Sequence, residues 1–205
     1  MEFHNAPYSL AKAHSEPVLY VVRHGSTVDD DTYSGPTNPP LNEQGKKDAQ
    51  GAADFLQGRK TGNIISSQMD RAKETANILG QALGKKVQST PDLDSLDVGD
   101  VSKMSDKDEA DRIIHHHQEN PHKAIPGGES INHFDGRIEP ELMSNIGSFY
   151  KTGKPNVLSV HHSVQHTAGK VFNGDKDSAL TKPGGVVAVY KTPTGFVAKP
   201  IFKPE

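Results

Sequence analysis

No cysteine occurs in the 205 residues. That excludes disulfides, thiolate nucleophiles and cysteine-ligated metals, and it leaves the redox compartment open. No apolar run approaches the ~18 residues that a membrane span requires. An excess of positive charge is missing too: 23 Lys and Arg stand against 26 Asp and Glu, for a net charge of -3. With a pI of about 6.4, bulk electrostatics offers no attraction to nucleic acid or to an acidic membrane. Any anion site has to be made locally. Apolar residues are sparse, at 33%, and mean hydropathy is -0.66. They are clustered, however, so a core can form. The first 16 residues, MEFHNAPYSLAKAHSE, carry no apolar stretch of the kind a secretory signal needs. They read as a polar leader ahead of one domain over residues 17–205, and a cytoplasmic location is the default expectation.

What the chain does have is alternation. VLYVV (18–22) is a continuous apolar run, as expected of a strand covered on both faces. A loop with three prolines, SGPTNPPLNEQG (34–45), follows, and Asn42 is placed to cap a helix over about 43–58 that stops at Gly58. NIIS (63–66) reads as a second strand. A helix over about 69–83 sets Ala72, Ala76, Leu79 and Leu83 on one face and ends at Gly84. Helices are expected over about 105–118, 130–150 and 163–173. A strand is expected over 155–160, and GGVVAVY and GFVAKPIF close the chain as a strand pair. Strand alternating with helix predicts an α/β three-layer sandwich, with a mostly parallel central sheet and helices on both faces.

Ligands of such sheets bind beyond the C-terminal ends of the strands. The first strand runs out at Arg23, His24 and Gly25, and glycine there permits close approach of a ligand to the backbone. The second leads to Arg71 in the first turn of its helix. The third ends on His161 and His162, which alternation points in opposite directions, so one of them can face a site shared with His24. Two guanidinium groups and two imidazoles suit a small dianion: arginine presents forked donors to phosphate oxygens, and a histidine among cations stays neutral and nucleophilic.

These residues resemble the histidine phosphatase superfamily, in its phosphoglycerate mutase-like branch. RHGST is similar to the family's R-H-G-x-T signature, and SSQMDRAKETA to its S-x-x-x-R-A-x-x-T-A segment. NPPLNEQGKKDAQ, PGGES followed by Arg137, and VLSVHHS match three further family segments, the last with His162 at the histidine position. The matches fall in family order over about residues 18–190. The resemblance implies a phosphohistidine mechanism in which His24 attacks phosphorus while Arg23, Arg71 and His162 hold the equatorial oxygens. It implies a small phosphorylated substrate and neither metal nor cofactor. A homodimer is a common assembly for the family. Gly25, Thr27 and Asn38 are expected to line the substrate pocket.

Three positions depart from the pattern. The glutamate that usually protonates the leaving group falls on Ser95 in LDSLDVG (93–99), and a serine is a poor general acid. Asp94 and Asp97 flank it, and Asp97 is the expected substitute. Asp30 stands where many members carry a phosphate-touching asparagine, so it is either turned away or the displaced acid. Ser163 replaces a glycine. The missing glutamate also motivates a phosphate-binding pseudoenzyme as an alternative to a phosphatase, and a phosphoglycerate-type mutase is a third reading. HHH (115–117) is expected to be an exposed helix end, because adjacent helical residues cannot all ligate one ion. Glu129 is expected to cap the following helix. Arg137 fits a substrate contact and a structural ion pair equally well.

Overall fold

A computed structural model describes residues 16–28 and 37–204. The leader expected over 1–16 lies, but for Glu16, outside the described residues. In chain order the elements are β1 (Pro17–Arg23), α1 (Glu43–Leu56), β2 (Ile64–Ser66), α2 (Asp70–Leu83), β3 (Val87–Ser89) and α3 (Lys107–Glu119). These are followed by α4 (Ile131–Thr152), β4 (Asn156–Val160), α5 (His162–Asn173), β5 (Val186–Thr192) and β6 (Gly195–Phe202). Among the described residues no helix is long and apolar enough to cross a membrane.

The strands form one sheet in the order β3-β2-β4-β1-β5-β6. The first four run parallel, and β5 and β6 close the edge as an antiparallel hairpin. Period-2 alternation divides β1 between two cores. Leu19 and Val21 point to the side of Ile138, Leu142, Val164 and Ala168, on α4 and α5. Tyr20 and Val22 point to the side of Ala52, Leu56, Ala76 and Leu79, on α1 and α2. Both faces are therefore covered, which is why the parallel strands read as unbroken apolar runs.

Local signals place the helix ends. Asn42 accepts the Gly45 N–H at 2.7 Å and caps α1, and Gly84 ends α2 in the left-handed conformation at φ 62°. Helix α1 stops at Leu56, two residues short of the expected boundary at Gly58. Strand β3 has no apolar alternation to announce it; it pairs in parallel with β2, and the Ser66 and Ser89 hydroxyls meet across the pair at 3.0 Å. Ser130, rather than Glu129, caps α4 through the His133 N–H. On α3, His117 is buried with Nδ1 against the Lys123 carbonyl at 3.2 Å, while His115 turns outward to Glu119. The exposed helix end expected for the three histidines therefore holds for His115 and His116 but not for His117, whose ring lies edge-on to that of His116 at 5.3 Å.

Candidate active site

Strands β2, β4 and β1 are neighbours and end level with one another. Ser66 pairs with Ser159, and Arg23 with Val160. The residues that follow, Ser67, His161 and His24, are thereby set side by side. The His24 N–H donates to the Val160 carbonyl at 2.8 Å, and the ring centroids of His24 and His161 are 5.1 Å apart.

The tautomer of His24 follows from its partner. Nδ1 lies 2.8 Å from the Gly25 carbonyl, which can only accept, so Nδ1 carries the proton and Nε2 keeps its lone pair. The residue is 7% exposed. Burial, reinforced by Arg71, Arg23 and His162 and opposed by the Gly25 hydrogen bond, lowers its pKa to about 3. His24 is therefore neutral at pH 7, with a free nucleophilic nitrogen.

His161 is held from its other side. Ser67 Oγ accepts the Met69 N–H at 3.1 Å and sits 2.7 Å from His161 Nε2. With the serine hydroxyl donating to Nε2, the proton of His161 sits on Nδ1. That Nδ1 is buried and has no hydrogen-bond partner among the described residues. Burial, then His24 and Arg71, push the His161 pKa well down, so this ring is neutral too. A buried N–H without an acceptor beside a nucleophilic nitrogen is a donor held ready for a ligand oxygen.

Both arginines are anchored by backbone carbonyls. Arg23 Nη1 donates to Thr181 O at 2.9 Å, and Arg71 Nη1 to Thr37 O at 2.9 Å. Arg71 is 2% exposed, and both cations act electrostatically on the His24 ring.

The fold thus brings Arg23, His24 and Arg71 together, and it corrects the second imidazole. His161, not His162, lies against His24. Because Arg23 and Val160 are in register, the residues that follow them are 24 and 161. His162 is an exposed residue that opens α5, its ring packed edge-on to His166 at 4.5 Å. Although the residue as a whole is exposed, its ring is sheltered enough that desolvation, then His166 and Arg23, lowers its pKa to about 4.

The remaining candidates have structural tasks of their own. Gly25 packs backbone against backbone on Gly45, where a Cβ would strike the Gly45 carbonyl. Thr27 is buried and bridges to Leu41. Asn38 Oδ1 accepts the Asp70 N–H at 2.6 Å and supports the start of α2. Asp30 lies outside the described residues. Asp94 and Asp97 do share one wall. With Met69, Pro91, Ser95 and Arg137 they line a cleft of ≈ 370 Å³. It adjoins the imidazole pair: Met69 Sδ accepts from Arg71 Nη2 at 3.3 Å, and Ser95 Oγ meets Ser163 Oγ, in the first turn of α5, at 3.3 Å.

The cleft wall is held by Arg137, which takes the structural of its two expected roles. Its guanidinium donates to the carbonyls of Asp92, Asp94 and Ser95 and to Glu129 Oε1, at 2.7–3.1 Å. Glu129 Oε1 also accepts the Asp97 N–H at 3.0 Å. Burial raises the Glu129 pKa, but Arg137, the Asp97 amide and His133 outweigh it and leave it below the usual value. Among the described residues, no group of three or more histidine or carboxylate side chains stands ready to hold a metal.

The family model "Histidine phosphatase superfamily (branch 1)" matches residues 19–169. The chain belongs to this superfamily. Its phosphoglycerate mutase-like branch is echoed by the probable phosphoglycerate mutase GpmB of Salmonella paratyphi C (strain RKS4594), 30% identical over 135 residues. That match covers 62% of this chain and 61% of the relative, so it spans under two thirds of the relative's length. Among solved structures, a mycobacterial glucosyl-3-phosphoglycerate phosphatase complexed with VO3 superposes with a TM-score of 0.76 at 21% identity, covering 91% of this chain and 99% of that one. A phosphoglycerate mutase from Bacillus anthracis str. Sterne gives 0.72 at 21% identity, covering 89% and 91%. At these identities the two structures establish the shared fold.

Proposed function

We propose that this histidine phosphatase hydrolyses a small phosphomonoester through a phosphohistidine at Nε2 of His24. The observation that carries the reading is the ring of His24 itself: neutral, pinned in one tautomer by the Gly25 carbonyl, and beside His161. In the first step the Nε2 lone pair attacks phosphorus and the P–O bond to the leaving group breaks. Arg23, Arg71 and the Nδ1–H of His161 take the non-bridging oxygens, where charge has to be stabilised during transfer. In the second step water attacks phosphorus, the P–N bond breaks, and its electron pair returns to Nε2. In this reading the phosphate-holding imidazole is His161, which lies against His24, and not His162.

Ser95 favours a second reading, a site that binds phosphate without turning it over. One experiment separates the two. The protein is mixed rapidly with phosphorus-labelled phenyl phosphate and quenched. The expected result is acid-labile, base-stable phosphate on His24, absent from His24→Ala, with phosphate release lost in the same variant. Turnover that survives His24→Ala would overturn the mechanism. Phosphate binding with no turnover at any pH would establish the second reading, and transfer to an added phosphoglycerate faster than to water would indicate a mutase.

A further inference from the structure

The cleft beside the imidazole pair bears on which ester the site takes, given that it is a phosphatase. A leaving alkoxide needs a proton as its bond to phosphorus breaks, and a positioned general acid contributes about 10²–10⁴-fold to such a step. Among the described residues that line the cleft, every polar side chain is already engaged with another group. The Arg137 guanidinium is occupied by three carbonyls and by Glu129. The Ser95 hydroxyl is paired with that of Ser163, and a serine hydroxyl does not release its proton near neutral pH. Asp94 turns Oδ1 onto the Gln68 N–H at 2.6 Å, and Asp97 turns Oδ1 onto the Gly99 N–H at 2.9 Å. Each carboxylate is thereby tied to a backbone amide through one of its two oxygens.

Charge and shape narrow the choice further. The wall carries two carboxylates, and its one cation is engaged elsewhere, so a leaving group with its own carboxylate or second phosphate meets like charge. The Met69 side chain and the Pro91 ring supply apolar surface on which a flat ring can lie.

We infer that the substrate is an aryl phosphate, a monoester whose leaving group is a phenol without further anionic charge. Phenolate departs far more readily than an alkoxide, because a phenol has a pKa of about 10. In the first step the P–O(aryl) electron pair leaves with the phenolate, which solvent protonates, so no protein acid is required. In the second, water supplies the oxygen of inorganic phosphate and gives its proton to solvent.

The inference rests on the phosphatase reading, and the test keeps the two apart. The whole chain is assayed for kcat/KM with p-nitrophenyl, phenyl and ethyl phosphate and with 3-phosphoglycerate. We expect a loss of about 10²-fold or more from the aryl to the ethyl ester, the size of an absent general acid, and a further loss for 3-phosphoglycerate. Ser95→Glu places a carboxylic acid in the cleft and is expected to raise ethyl phosphate turnover at least tenfold more than that of p-nitrophenyl phosphate. Asp94→Asn and Asp97→Asn are expected to raise 3-phosphoglycerate turnover relative to phenyl phosphate. An ethyl ester cleaved within tenfold of phenyl phosphate by the wild type, or 3-phosphoglycerate preferred to ethyl phosphate, would overturn the inference and leave the phosphatase intact. Failure to cleave even p-nitrophenyl phosphate would overturn both. The wild-type series decides by itself if a variant does not fold.

Discussion

Gly25 shows how a single residue can be required by space rather than by chemistry. Its Cα lies so close to Gly45 at the start of α1 that a Cβ on either would overlap the other's backbone region: Gly25 against the Gly45 carbonyl, Gly45 against that of Ser26. The amide of Gly25 is also fixed by Thr75 Oγ1 at 3.1 Å, and that hydroxyl donates to the Arg71 carbonyl at 2.8 Å. The loop carrying His24 is thus tied to the helix carrying Arg71. Gly25→Ala must push α1 away or tilt the His24 loop. We expect it to cost about 2–3 kcal/mol, the usual penalty of overpacking a rigid contact, and to reduce turnover beyond what that instability explains. Urea unfolding and kcat measured on the same preparation check this, and a variant with wild-type values for both would show that the contact yields freely.

At the scale of elements, the segment from Pro91 to Gly99 has little regular structure, with one short 3-10 turn at Pro91–Leu93. It depends on α4 for its shape. One guanidinium collects three of its carbonyls, and the attached Glu129 collects one of its amides. Lysine cannot copy this, because it is a point charge and not a planar fork. Arg137→Ala leaves Glu129, itself only 12% exposed at the side chain, without its strongest partner. We expect a loss of about 2 kcal/mol, below the 3–5 of a fully buried pair because both side chains keep some contact with water. Amide exchange over residues 92–97 should accelerate in the variant. Arg137→Lys should behave like the alanine variant. Protection that is unchanged in both would mean that the segment holds itself.

The whole molecule carries a pH dependence set by its neutral buried imidazoles. The His24 pKa is about 3 in the fold against an ordinary 6.5, and His161 is displaced in the same direction. Below pH 6.5 the unfolded chain takes up protons that the folded chain refuses. This part of the stability is therefore complete above about pH 6.5 and is lost as pH falls toward 3, at about 1.4 kcal/mol per pH unit for His24 alone. The urea midpoint should drop between pH 7 and pH 5, and His24→Asn should flatten the drop. A midpoint that stays constant across that interval would contradict a buried neutral ring at position 24.

Residues that act through their immediate neighbours are legible in the sequence by itself. Apolar runs place β1 and β4, Asn42 and Gly84 mark helix ends, and the motifs around Arg23, His24 and Arg71 point to strand termini that do converge. Asn38 and Glu129 mislead because a polar side chain next to a helix start can serve several amides. Asn38 serves α2, and Glu129 serves the distant Asp97 amide, not its own helix. Only the tertiary structure decides between His161 and His162. Two consecutive histidines satisfy the same spacing, and the choice rests on the level at which β4 stands beside β1, a hydrogen-bond register between strands more than 130 positions apart in the chain. Periodicity along one strand says which residues share a face; it carries no information about how far that strand slides against its neighbour.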